Sequence, residues 1–139
     1  MTIVEWGPEL EIGITEIDYQ HRNLVSMLNA LHNAIDAGEP REHLGEILEE
    51  LDLYVINHFA TEERVMERLH FEFTAQHRLE HRDLAQAVQF HREAFARGED
   101  SAPELLQFLI NWLMTHIAGS DSLIGKAHRK QRLANQSAG

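Results

Sequence analysis

His58 and Glu62 stand four residues apart, and so do His77 and His81. Side chains four apart on a helix project from one face, one turn above the other. Each pair is then a claw that grips a metal ion when neighbouring helices supply further donors. One such pair arises easily by chance in a chain rich in Glu and His. Two in succession, parted by a short break, invite a search for the rest of a donor set, and His21, His116 and Asp121 complete it. A carboxylate on the inner face of a helix is costly unless it is paired or bound to a metal. That singles out Glu62 and assigns its neighbour Glu63 to solvent.

Apolar periodicity predicts the elements that position these residues. Asp18 reads as the N-cap of helix A, from about residue 19 to 37, with Leu24, Val25, Leu28, Leu31 and Ile35 on its stripe. Gly38 ends that helix and Pro40 opens the next. Helix B runs from about 41 to 69, with Leu44, Ile47, Leu48, Leu51, Val55, His58, Glu62 and Val65 inward. Thr74 reads as the cap of helix C, about 75 to 97, whose stripe holds His77, His81, Leu84, Val88 and Phe95. Helix D opens at Pro103 and carries Leu105, Leu106, Leu109, Trp112, Leu113, His116 and Ile117, then passes Gly119 to reach Asp121. Residues 1–17 read as an extended arm lying on the bundle, with Trp6 as a packing anchor. Residues 128–139 read as a frayed tail, its basic residues suited to a helix C-terminus or to a partner contact. Four helices with short connections give an all-α, up-down-up-down antiparallel four-helix bundle in one domain spanning 1–139.

Composition removes several function classes. The chain has 139 residues, 43% of them hydrophobic, enough for one core. A net charge of −11 argues against a nucleic-acid surface and for a monomer or weak homo-oligomer. The absence of cysteine excludes disulfides, thiolate metal sites and cysteine nucleophiles. No apolar run approaches the ~20 residues of a membrane span, and the N-terminus lacks the pattern of a signal peptide, so the expected compartment is the cytoplasm.

In the antiparallel topology the start of A, the end of B, the start of C and the end of D share one end of the bundle. At ~1.5 Å per residue, His21, His58, Glu62, His77, His81, His116 and Asp121 all fall at one depth from that end. His32 and His91 lie roughly 16–21 Å further down, too deep to join them. His43, His70 and His128 read as surface residues. One spacing resists: Asp121 is five residues after His116, which on a regular helix turns it away by about 140°. A π-type distortion near Gly119 restores the alignment and is predicted here.

Five histidines and two carboxylates are too many donors for one ion and suit two. With both carboxylates bridging and one oxo or hydroxo bridge, they fill all but one position of two six-coordinate ions, leaving room for a single small ligand. Oxygen-bridged dimetal centres in helix bundles are characteristically iron or manganese. A nitrogen-rich set with few anionic donors favours the reduced pair, and so reversible ligand binding over harsh oxidation. Leu24, Phe59, Trp112, Leu113 and Ile117 give the surroundings an apolar character that admits O2 and excludes most substrates. A di-iron enzyme acting on peroxide, nitric oxide or a small substrate is the alternative. The lack of a spare acid–base group weighs against it.

Laid out this way, the chain resembles the hemerythrin family, in particular its single-domain bacterial members. The resemblance spans nearly the whole chain. It rests on the Trp6 arm, Ile17-Asp18-x-Gln20-His21, His58-Phe59-x-x-Glu62-Glu63, His77-x-x-x-His81 and Trp112-Leu113-x-x-His116-Ile117-x-x-x-Asp121. It implies a non-haem di-iron site in which His77, His81 and His116 hold one iron. His21 and His58 hold the other, which keeps the open position for O2, and Glu62 and Asp121 bridge. The implied function is reversible O2 binding for storage, transport or sensing. Two departures stand out: His70-Phe71 where family members often have Tyr-Pro, and Ile124 where they often have Tyr. Neither removes a ligand, and both bear on access to the pocket.

Overall fold

The computed structural model describes residues 3–138, and every regular element among them is helical. After a 3-10 turn at Pro8–Leu10 come α1 (Thr15–Asp36), α2 (Arg41–Leu69), α3 (Thr74–Ala96) and α4 (Ala102–His116). A π turn at Ile117–Asp121 leads directly into α5 (Ser122–Ala138). α1 packs on α2 and α4, and α3 packs on the same two, which closes the antiparallel four-helix ring.

The helix ends have local causes. Gly38 and Gly98 take the left-handed conformation after α1 and α3. The amides of Glu39 and Glu99 then reach back to the carbonyls of Ala34 and Ala94, a Schellman closure. α2 ends the same way, with Phe71 N–H donating to the Met66 carbonyl, but the left-handed residue is His70, at φ 52°. Pro103 opens α4.

Three expectations are corrected, two at helix starts and one at the tail. α1 begins at Thr15, one turn before Asp18. Asp18 is therefore not its cap: the carboxylate reaches backwards and accepts from the amides of Ile12 (2.8 Å) and Gly13 (3.1 Å), tying down the arm. Thr74 is the first residue of α3 rather than its cap, and its hydroxyl donates to the Phe71 carbonyl at 2.6 Å. The tail is helical to Ala138, although side chains 129–137 are exposed. Lys, Arg, Ala, Gln and Leu are all good helix formers, and no Pro or Gly intervenes between Lys126 and Ala138.

The arm is clamped at a second point. The Asn29 side chain accepts from the amides of Ile3 and Val4 and donates to the Val4 carbonyl at 2.8 Å. Gly125 in α5 lies so close to the arm that a Cβ there would overlap the Ile12 carbonyl.

The core has two apolar layers. The larger holds Leu24, Leu28, Leu31, Leu51, Val55, Leu84, Leu105, Leu109, Leu113 and Ile117. The smaller holds Ile14, Ile17, Val65, Met66, Leu69 and Ile124 at the end of the bundle. Along α1 the order is Ile17, His21, Leu24, and along α2 it is Val55, His58, Glu62, Val65. The polar residues therefore fill a slab between the two layers. Ile124 is fully buried and forms part of the lid over that slab.

Candidate metal centre

All seven donors predicted from spacing meet in this slab, each at most 4% exposed. α1 supplies His21, α2 supplies His58 and Glu62, and α3 supplies His77 and His81. His116 ends α4, and Asp121 ends the π turn. That turn holds the extra residue between His116 and Asp121 and brings both side chains to the same side, their Nε2 and Oδ1 atoms 3.1 Å apart.

The donors sort into two groups, within each of which the ligating atoms lie within 4.8 Å of one another. Glu62, His77, His81, His116 and Asp121 form one; His21, His58, Glu62 and Asp121 form the other. The carboxylates belong to both because each divides its oxygens between them. Glu62 Oε1 faces His77 Nε2 (3.2 Å) and His81 Nε2 (3.0 Å), while its Oε2 faces His21 Nε2 (3.2 Å) and His58 Nε2 (2.9 Å). Asp121 Oδ1 faces His77 and His116 at 3.1 Å, and its Oδ2 faces His21 at 3.0 Å.

Outer partners aim several of the rings. His58 Nδ1–H donates to Gln20 Oε1 at 2.7 Å, and Gln20 in turn donates to Thr61. His81 Nδ1–H donates to Glu63 at 3.2 Å, and His116 Nδ1–H donates to Glu80 at 3.3 Å. A histidine that donates through Nδ1 presents Nε2 inward as a ligand. Glu63 is thus corrected from solvated bystander to orienting partner; Arg78 holds its other oxygen at 3.1 Å. Sequence reasoning also missed the roles of Gln20 and Glu80, each one residue before a donor histidine. Phe59 stacks on His81 (centroids 3.8 Å apart, planes 6° apart), and Trp112 stacks on His116 (4.3 Å, 20°). Both aromatic residues therefore brace the three-histidine group. Leu24, Leu113 and Ile117 lie in the larger apolar layer.

Charge is strongly coupled here. Burial pulls the His21, His77 and His116 pKa values down, but contacts with Asp121 and Glu62 outweigh it, leaving them at about 9, 9 and 10. Burial also works against the charge on Glu62, yet the nearby histidines, His58 foremost, hold its pKa well below the ordinary carboxylate value. Asp121 is lowered too, against both burial and the charge of Glu62, by His116, His21 and His77.

The donor chemistry fits metal. His116 Nε2 and both Asp121 carboxylate oxygens are buried with no hydrogen-bond partner, although they lie only 3.0–3.1 Å from complementary atoms. Such atoms converge on shared points rather than on one another. Metal bound between them would satisfy every orphan except His21 Nδ1. The remaining histidines stay outside. His32 pairs with Asp36 at 3.2 Å and His91 lies 6.0 Å from Phe108. His43 and His70 are exposed, and His128 is half-buried.

Fold and site together define a metal-binding four-helix bundle whose candidate ligands come from all four bundle helices. Residues 12–127 match the family described as Hemerythrin HHE cation binding domain. The chain belongs to the hemerythrin family, whose domain is described as cation binding. It is 39% identical to a bacteriohemerythrin of Stenotrophomonas maltophilia over 134 residues, covering 94% of this chain and 87% of that one. It is 38% identical to one from Pseudomonas aeruginosa over 124 residues, covering 88% and 79%. The crystal structure of a wild-type hemerythrin superposes with a TM-score of 0.83 at 28% identity, covering 91% of this chain and 98% of that one. Among the described residues, no helix is long and apolar enough to cross a membrane.

Proposed function

We propose that the chain binds O2 reversibly at a non-haem di-iron centre, for storage, transport or sensing in the cytoplasm. The observation that carries this reading is the division of Glu62 and Asp121, each giving one oxygen to a three-histidine group and the other to a two-histidine group. Carboxylates so divided would hold two ions side by side. Imidazole and carboxylate donors without thiolate suit iron. When bound, the iron pair supplies the electrons that reversible O2 binding needs.

The protein's own residues fix where that happens. Five residues would hold one ion and four the other, so fewer protein donors stand beside His21 and His58. Gln20 holds His58 in its ligating orientation. The two apolar layers exclude water and acids from the slab, which favours release of intact O2 over its protonation. Leu24, Leu113 and Ile117 supply that apolar wall on the side of the larger layer.

The test is an optical spectrum of anaerobically reduced, iron-loaded protein before and after air, with iron counted per chain. Two irons per chain and a charge-transfer band near the visible–ultraviolet edge that vanishes again under vacuum are expected. Oxidation straight to the ferric state, with no reversible band, overturns the reading.

A further inference from the structure

Two surface clefts approach the centre, both on its three-histidine side. One, of about 200 Å³, is lined by Phe71, Phe73, Gln76, Glu80 and Ser120 and reaches the ligand His77. The other, of about 480 Å³, runs along Phe108, Trp112 and Thr115 and reaches the ligand His116. Glu80 and Ser120 line both. These two shared lining residues touch: Ser120 Oγ–H donates to Glu80 Oε1 at 2.7 Å. The same Glu80 oxygen accepts from His116 Nδ1–H at 3.3 Å. One carboxylate thus ties α3 to a ligand and to the π turn that carries another ligand, Asp121.

We propose that Glu80 and Ser120 form the port through which divalent metal ions reach and leave the centre. This rests on the metal reading of the site given above. Glu80 is a carboxylate only partly withdrawn from solvent, with 36% of its side chain exposed. It gives an arriving cation its first anionic contact. Behind it lies His116, whose Nε2 is buried without a hydrogen-bond partner and is the next donor inward. His77 stands at the floor of the neighbouring cleft. The Ser120 hydroxyl is the latch. When its hydrogen bond to Glu80 opens, the two clefts join over both ligands. The backbone beneath is a π turn rather than a regular α-helix, and Gly119 there has open space around it. Metal traffic is thereby assigned to the three-histidine side, away from His21 and His58.

Stopped-flow uptake of Co²⁺ by the metal-free full-length protein tests the port, followed by release of the bound metal to excess EDTA. Wild type, Glu80→Gln, Ser120→Ala and the distant exposed control Glu49→Gln are compared. Glu80→Gln is expected to load at least about five-fold more slowly and to lose much of the ionic-strength dependence of loading, as removal of a guiding charge requires. Ser120→Ala keeps the charge and loses the latch, so it is expected to load and release at least about five-fold faster. Final occupancy of two Co²⁺ per chain is expected in the wild type, Ser120→Ala and Glu49→Gln. Wild-type rates in both port variants overturn the port. Weakened binding in Glu80→Gln with a wild-type loading rate also overturns it, since Glu80 then only positions His116. Failure of the wild type to bind Co²⁺ sinks the metal reading itself, an outcome distinct from either.

Discussion

Glu62 and Asp121 divide their oxygens between two groups of histidines, but the rings are aimed from outside. His81 is held by Glu63 and His58 by Gln20. Outer partners of this kind are worth roughly 10–100-fold in metal affinity when removed. Glu63→Gln is expected to weaken binding of the ion on the three-histidine side by about that factor, measured by competition with a chelator; unchanged affinity means that packing against Phe59 alone orients His81. The same residues predict a pH dependence. In the metal-free protein His21 and His77 sit at about 9 and His116 at about 10, so all three carry protons at neutral pH. Their folded-state values are raised, so the stability they add is fully present below the ordinary histidine value near 6.5. It fades as pH climbs through 9 to 10. Metal must displace those protons. Loading at pH 7 is expected to release about three protons per chain, and apparent affinity is expected to rise with pH up to about 10. Calorimetry in two buffers of different ionisation enthalpy measures the release. Fewer than two protons would mean that the ion pairs around Asp121 are weaker than their 3.0–3.1 Å distances imply.

Four helices and the convergence of seven candidate donors were legible in the sequence because burial imposes periodicity. His21, His58, Glu62, His77, His81 and His116 all continue apolar stripes, and the five-residue step to Asp121 points to a distortion that is present as the π turn. What periodicity missed lay off the stripes. Glu63 and Glu80 stand on partly exposed positions, where a carboxylate in the sequence looks the same whether it faces water or a histidine on the next helix. The start of α1 was hidden because Asp18 has the right residue type for a cap and instead serves the arm. The tail helix was hidden because it buries almost nothing beyond Gly125, so no stripe marks it. The π turn itself supports a test. A π turn is an α-helix with one residue inserted. Deleting Gly119 removes that residue and leaves His116 and the carboxylate four apart, still on one face. Downstream, Ile124 and Gly125 keep their places against α2 and the arm. The deletion variant is therefore expected to fold, to retain two metal ions, and to raise the urea midpoint. Loss of one metal equivalent would show that the π geometry, and not merely the shared face, is needed to aim Asp121.

At the scale of the molecule, two apolar layers enclose a slab that no apolar force holds together. Five imidazoles and two carboxylates lie at most 4% exposed between Leu24, Val55 and Leu113 on one side and Ile17, Met66 and Ile124 on the other. Buried charges cost several kcal/mol each unless paired with good geometry, and here His116 Nε2 and the Asp121 oxygens are left without hydrogen bonds. Bound metal is then a cross-brace joining α1, α2, α3 and the α4–π junction. A ligand present at a hundred times its Kd adds about 2.7 kcal/mol per site. Two sites in a chain of this size correspond to a Tm shift of roughly 15 °C or more. Chelation is expected to lower Tm by that order. The loss is not expected to be uniform, because the larger layer has its own packing from Leu28, Leu31, Leu51, Leu105 and Leu109. Hydrogen exchange is expected to quicken at the centre's end of the bundle, in the first turns of α1 and α3, the last turns of α2 and the π turn. Amides around Leu31, Leu51 and Leu105 are expected to keep their protection. Uniform loss along every helix would mean that the larger layer cannot hold the bundle alone, and that metal is required for the whole fold rather than for its upper half.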